Sequence, residues 1–300
     1  MNNPVVDPGM AREEVLAATA QGRRSARVSW HTAIGLAFML LLSTQARADV
    51  VLLIHGYQGN VLSWENSGVV PVLQHFGWKR AALLLGEPQG LVSIALPWQE
   101  AENKVVNLGL YSEAPLMAQS NVVIDAIRWI YDRYPGEQII LVGHSLGGLV
   151  ARLALVRAGA RDVKALVTIA SPHQGTELAY EGLDELDEPF PIDIMKKFFG
   201  GSSYDMLRRS RGLLYDLLPP MPGKLLFWLN SRVHPDIHYF SVVRSLPNGM
   251  LGDIVVPGYS QDMANIVPIG QRSTRYIQGF THWLSIQDGY TLINILGQLK

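Results

Sequence analysis

A serine hydroxyl attacks an acyl carbon only when a base takes its proton, and the base needs a carboxylate to orient it. Those residue types occur here in usable order: Ser145 inside Gly143-His144-Ser145-Leu146-Gly147, Asp253 108 residues later, and His282 a further 29 on. A G-x-S-x-G stretch is weak evidence alone and strong evidence between a buried strand and a helix. Ile139-Ile140-Leu141-Val142 supplies the strand, and Leu146 to Ala158, stopped by Gly159, the helix. In so tight a turn the serine backbone is strained, and the two glycines let strand and helix approach without a Cβ between them. The Leu146 N–H, at the helix start, is placed to bond an oxyanion.

The order Ser, acid, His is the one this turn requires. Of eight histidines, only His234, His238 and His282 lie well downstream. His282 follows a strand ending at Phe280 and precedes the last helix, on the rim that carries Ser145, so it is the expected base. His234 and His238 bracket the start of another strand, at the opposite end of the sheet. Asp253, in Gly252-Asp253-Ile254-Val255-Val256-Pro257, is the expected acid. Asp262 is its rival in the same loop region, with a solvated or capping role as the plainer reading. A second oxyanion donor is expected after the first strand, in His55-Gly56-Tyr57-Gln58-Gly59, from the Tyr57 N–H. His55 reads as a hydrogen-bonding support for that loop, and His173 as a loop-shaping residue rather than a metal ligand. The turn aims the His144 side chain away from that of Ser145, so it is given no part in proton transfer. No pair of histidines sits at i, i+4 on a helix, and no metal or cofactor is expected.

Something must hold these residues on one rim. Val50–Ile54, Ala81–Leu85, Val92–Leu96, Gln138–Val142, Lys164–Ala170, Ile237–Val243 and Thr274–Phe280 read as strands. Trp64–Phe76, with Pro71 as a kink or restart, Asn121–Tyr134, Leu146–Ala158 and Gly289–Leu299 read as helices. The alternation predicts an α/β fold, a mostly parallel sheet with helices on both faces. It breaks over residues 177–235. There an acidic cluster (Glu181, Asp184, Glu185, Asp187, Glu188) lies beside Phe190, Phe198, Phe199, Phe227 and Trp228, interrupted by Pro189, Pro191, Pro219, Pro220 and Pro222. Short helices forming a cap or lid over the rim are expected, either walling an acyl pocket or only packing on the core. The acidic cluster reads as a solvated face.

Composition narrows the chemistry. The 300 residues carry 25 Lys+Arg against 26 Asp+Glu and no cysteine. Near-neutrality argues against nucleic acid as a partner. The missing cysteine removes disulfides, thiolate metal sites and a cysteine nucleophile. Arg23, Arg24 and Arg27, the apolar run Ala33–Leu42 and Ala46-Arg47-Ala48 read as a secretory signal. Before it, Met1–Gln21 suits an over-extended start or a disordered tail. Residues 1–48 are thus expected to be removed and 49–300 to form one exported domain, periplasmic or secreted. That removal takes five arginines and three acids, leaving a net charge of −3.

Gly143-His144-Ser145-Leu146-Gly147-Gly148, His55-Gly56 and Thr168-Ile169-Ala170-Ser171-Pro172-His173-Gln174-Gly175-Thr176 together resemble the α/β-hydrolase superfamily, more narrowly its bacterial lipase and esterase branch. The resemblance spans about residues 50–176 and 237–299. It places Asp253 where the family keeps its acid and His282 where it keeps its base. It implies a water-using acyl hydrolase, without fixing the acyl chain or the alcohol. The expected substrate is a small-molecule or lipid ester, and the aromatic and leucine residues of the lid offer contact to a lipid interface. Two other readings share the residues: transfer of the acyl group to an alcohol through the same triad, and a non-catalytic binding protein on the same fold.

Overall fold

A computed structural model describes residues 48–96, 102–187 and 204–299. The expected secretory signal falls outside these residues, Ala48 excepted. So do Phe190, Phe198 and Phe199 of the inserted segment.

Eight strands form one sheet in the order β3-β2-β4-β1-β5-β6-β7-β8. They are β1 (Asp49–Ile54), β2 (Lys79–Glu87), β3 (Gly90–Ala95), β4 (Lys104–Gly109), β5 (Gln138–His144), β6 (Val163–Ile169), β7 (His238–Val243) and β8 (Ser273–Ile277). All neighbours are parallel except β2 and β3, which form an antiparallel pair at one edge. Every residue of β1 is buried. Its Val50, Leu52 and Ile54 enter the core on one face, and Val51 and Leu53 the core on the other. That is the period-two consequence of covering a strand on both sides.

The helices are α1 (Ser63–Asn66), α2 (Val69–His75), α3 (Leu116–Arg133), α4 (Leu146–Ala158), α5 (Leu178–Asp187), α6 (Tyr204–Arg209), α7 (Arg211–Asp216), α8 (Leu225–Asn230), α9 (Gly258–Gln261) and α10 (Ile286–Gly297). Among the described residues none is long and apolar enough to cross a membrane. The break expected at Pro71 lies instead at Gly68, whose φ of 84° ends α1, while Pro71 sits in the first turn of α2, where its missing N–H costs nothing. Helix α3 begins at Leu116 rather than Asn121, because Pro115 opens it and Asp216 Oδ2 accepts the Leu116 N–H at 2.8 Å. Strand β8 ends at Ile277, short of Phe280.

Strand β4 was not expected. Its Lys104 and Asn107 interrupt the apolar run, yet both are buried, and Lys104 Nζ donates to Glu137 at 2.7 Å. Partners supplied by tertiary structure hide such a strand from an apolar pattern.

Register does the positioning. Ile54 of β1 is level with Gly143 of β5, His144 with Ile169 of β6, Ile169 with Val242 of β7, and Val243 with Ile277 of β8. The loops that leave these strand ends therefore meet along one rim. In the inserted segment α5 to α8 are short helices, as its prolines suggested, and Leu213, Leu214, Leu226 and Leu229 pack into the core. Glu181 and Asp184 are exposed.

Candidate active site

Ser145 has φ 50° and ψ −125°, a left-handed backbone that a non-glycine residue rarely adopts. The Ser145 N–H donates to Ile169 O at 2.8 Å and fastens the turn to the next strand. The glycines are needed here for close approach. A Cβ on Gly143 would overlap the Gly148 backbone, and one on Gly147 would overlap the carbonyls of Ile54 and His55. Strand β5, helix α4 and the end of β1 thus touch through backbone.

His282 Nε2 lies 2.8 Å from Ser145 Oγ, and His282 Nδ1 lies 3.0 Å from Asp253 Oδ2. All three side chains are buried. Asp253 Oδ1 accepts the N–H groups of Val255 at 2.7 Å and Val256 at 2.8 Å, and Oδ2 also accepts Gln261 Nε2 at 3.0 Å. Burial pushes the Asp253 carboxyl up, but its bond to His282 and the two backbone N–H groups outweigh that and hold it below the usual carboxylate value. With Asp253 ionised, Nδ1 carries the imidazole proton and Nε2 is left to accept from the serine hydroxyl. The three residues expected from sequence are therefore joined in one line.

The rival acid is turned elsewhere. Asp262 Oδ1 caps Ala264 N at 2.9 Å and Oδ2 faces Arg275 at 3.2 Å. His238 is exposed at the start of β7, away from the rim. His234 is buried beside Arg152, with Nδ1 donating to Arg232 O at 2.8 Å.

The loop after β1 packs directly on the serine: a Cβ on Gly56 would lie 2.9 Å from Ser145 Cβ. His55 supports that loop, donating from Nδ1 to Gly56 O at 2.8 Å and accepting Leu110 N–H at Nε2 at 2.9 Å. Both ring nitrogens are satisfied by a neutral imidazole, and burial lowers its pKa accordingly. Gln58, next in the loop, has φ 57°. Tyr57 and Leu146 both line the cavity that holds Ser145. As the first residue of α4, Leu146 has no carbonyl one turn back to occupy its N–H.

Two spaces adjoin the site. A cavity of about 40 Å³ is walled by Leu178, Ala179, Leu213, Leu214, Leu217 and Val256 beside Ser145, so most of its apolar wall comes from the inserted segment. On the other side of Tyr57 an open groove of about 410 Å³ is lined by Gln58, Ser63, Asn66, Ser67 and Trp283. The Tyr57 hydroxyl is 2.8 Å from Ser210 Oγ, which ties the loop after β1 to the junction of α6 and α7. Arg209 forms a paired contact with Glu113, at 2.6 and 3.2 Å, beside it.

Sequence reasoning left three residues without a role that the structure gives them. His144, Gln261 and Arg244 all surround the Asp253–His282 pair. Arg244 is buried, pairs with Asp288 at 2.6 and 3.1 Å, and donates to the carbonyls of Gln278 and Trp283 on either side of His282. His144 lies inside the serine turn, but no local motif announces Gln261 or Arg244; only the apolar surroundings of Arg244, in Phe240-Ser241-Val242-Val243, hint at a buried charge.

His173 is buried, with Nε2 3.1 Å from Thr168 Oγ1, and its backbone N–H donates to Ser260 O at 2.8 Å. It shapes the loop after β6, as expected, and stitches that loop to the one carrying Asp253. Nearby Arg152, two turns along α4 from Ser145, is wholly buried without a carboxylate partner among the described residues. It donates to Asn230 Oδ1 at 2.6 Å and His173 O at 3.3 Å, and burial lowers it to about 9.

A doubly covered, mostly parallel sheet with a strained serine turn between β5 and α4 is the α/β-hydrolase fold, and this chain has it. Residues 45–185 match the family described as the PGAP1-like alpha/beta domain. The chain is 45% identical over 62 residues to a GPI inositol-deacylase of Candida albicans, and 36% identical over 69 residues to GPI inositol-deacylase B of Yarrowia lipolytica. Each match takes in 19% of this chain but only 16% and 7% of those longer proteins. Among solved structures, a gene product of Listeria innocua superposes with a TM-score of 0.55 at 19% identity, covering 82% of this chain and 94% of that one. The mature lipase BlEst2 of Bacillus licheniformis gives 0.52 at 15% identity, covering 85% and 93%. At such identities the structures speak for the fold alone, and the curated sequence matches, to fungal GPI inositol-deacylases, do not single out the bacterial lipase branch suggested by the motifs.

Proposed function

We propose that the chain is a serine hydrolase of carboxylic esters working through Ser145, His282 and Asp253. The observation that carries this reading is the unbroken hydrogen-bonded line from Ser145 Oγ through His282 to Asp253 Oδ2. Ser145 Oγ attacks the ester carbonyl while His282 Nε2 takes its proton. The imidazolium is held by Asp253 and returns that proton to the leaving alcohol. The amides of Tyr57 and Leu146 bond the oxyanion. Water, deprotonated by His282, then releases the acid from the acyl-serine.

The cavity at the serine and the groove that shares Tyr57 with it give the ester a direction. The apolar cavity suits the acyl part, and the groove, with amide and hydroxyl side chains beside Trp283, suits a hydroxyl-bearing alcohol. The name of the fungal relatives, inositol-deacylase, supports the same polarity: an acyl group removed from a polyol. Residues 177–235 act as the lid, bringing the acyl pocket to a lipid surface, and the apolar run at Ala33–Leu42 directs export.

The test is direct. Purified protein is expected to react with a fluorophosphonate probe at Ser145 and to hydrolyse p-nitrophenyl esters, and Ser145→Ala to fold normally while losing both. Turnover or labelling retained in Ser145→Ala would remove the serine mechanism. Transfer of the acyl group to an added alcohol in preference to water would make the protein an acyltransferase. Export predicts a mature N-terminus at Asp49 by mass spectrometry.

A further inference from the structure

Among the described residues, every group that donates to the Asp253 carboxylate is backbone or His282, with one exception. Gln261, at the end of α9, is wholly buried. Its Nε2 donates both to Asp253 Oδ2 at 3.0 Å and to Val256 O at 2.8 Å, while its Oε1 accepts the Arg244 N–H at 2.8 Å. One side chain therefore joins the end of β7, the turn that presents the acid, and the very oxygen that His282 uses. A glutamine so placed is over-specified for filling space, since an apolar residue of similar length would leave the Arg244 N–H unmatched and take one of two donors from both Asp253 Oδ2 and Val256 O.

We propose that Gln261 is a positioning residue for the Ser145 reaction, holding Asp253 Oδ2 in line with His282 Nδ1 as the imidazole gains and loses its proton. The inference rests on the serine-hydrolase reading above. Oδ1 is fixed by two backbone N–H groups, so the carboxylate plane has one free edge, and Gln261 occupies it beside the imidazole. The amide also gives Oδ2 a second donor beside the imidazole. The other titratable and charged groups around this spot are already engaged. His144 bonds the carbonyl of His282, the Arg244 guanidinium is paired with Asp288, and Asp262 faces Arg275.

Two substitutions separate positioning from plain structure. Gln261→Met keeps the length and removes the donor. Its kcat/KM is expected to fall about ten- to a hundredfold, through kcat, with KM little changed, as for one hydrogen bond to a charged group. Gln261→Glu keeps the shape and the acceptor for the Arg244 N–H but sets a second carboxyl against Asp253. Two carboxyls at hydrogen-bond distance share one proton, so the shared form donates to Oδ2 as glutamine does until that proton is lost. The kcat of Gln261→Glu relative to wild type is therefore expected to be highest at low pH and to fall as pH rises, reversibly, with the thermal melt followed alongside. A residue with a merely structural role would lower the melting temperature in Gln261→Met and leave the kcat of the folded variant near wild type.

Wild-type kinetics in Gln261→Met, or a pH-independent ratio for Gln261→Glu with both variants folded, would overturn the role of Gln261 alone. Should Gln261→Met fail to fold, the pH dependence of Gln261→Glu decides. Failure of the wild-type protein to react with fluorophosphonate at Ser145 would overturn the hydrolase reading and this inference with it.

Discussion

His144 Nε2 donates to the backbone carbonyl of His282 across 2.8 Å, so the residue before the nucleophile holds the chain of its base. The bond fixes the His144 tautomer with the proton on Nε2. Burial, with His282 close by, lowers His144 to about 3, so it stays neutral throughout the working range. The same turn that aims Ser145 thereby sets the height of His282. His144→Phe, which keeps a ring and loses the donor, is expected to lower kcat about tenfold with little change in KM, measured on a soluble p-nitrophenyl ester.

Asp253 and Asp262 are distinguished by what they face. Asp253→Asn frees the imidazole to take the wrong tautomer and is expected to lower kcat by about a thousandfold or more. Asp262→Asn loosens the contact to Arg275 and lowers the melting temperature, while kcat stays near wild type. Equal kinetic losses in the two variants would return the acid to dispute.

Several buried histidines make stability depend on pH. Burial lowers His144 to about 3 and His234, beside Arg152, to about 4, and burial also holds His173 and His55 below the ordinary value of 6.5. Below pH 6.5 the unfolded chain binds protons that the folded chain refuses, so stability drops as pH falls from 6.5 toward 4. Asp253, also lowered, adds to the loss as pH falls further, while Asp216, raised chiefly by burial, opposes it. Thermal melts at pH 7.5 and 5 are expected to differ with the pH 5 protein less stable. A flat profile across that window would show the histidines to be protonated in the fold.

Gly147 tests the backbone contact beneath the serine. Alanine in an exposed helix position is ordinarily better than glycine by about 1 kcal/mol. Here the added Cβ meets the Ile54 and His55 carbonyls, so Gly147→Ala is expected to destabilise the protein and displace the loop carrying Tyr57. A rise in melting temperature would contradict the packing of β1 against α4.

Much of this was legible in the chain because local rules act alone there. The apolar runs of β1, β5 and β6 are long enough to be strands buried on both faces. Helix α4 begins and ends at the expected residues, since the glycine turn opens it and Gly159 closes it. Ser145 and His282 could be chosen, and Asp253 favoured with Asp262 as its rival, because the turn fixes the chain order. Strand β4 escaped notice because the carboxylates that meet buried Lys104 and Asn107, Glu137 and Glu65, lie far away in the chain. The antiparallel pairing of β2 with β3 follows from a short connection whose meaning depends on sheet order. Gln261 and Arg244 lie in stretches with no motif, and their partners are 8 and 44 residues away in the chain.

Sequence by itself determined the kind of chemistry available: a serine in a strained turn, a histidine and an acid in the right order, and no thiol to compete. It also determined the elements that carry them, because burial on two faces and tight turns leave periodic and compositional marks. Only tertiary structure decided which acid meets His282, which side chains hold that acid, and what walls the space beside Ser145. Those outcomes depend on register between strands and on hydrogen bonds between residues far apart in the chain. No local pattern encodes them.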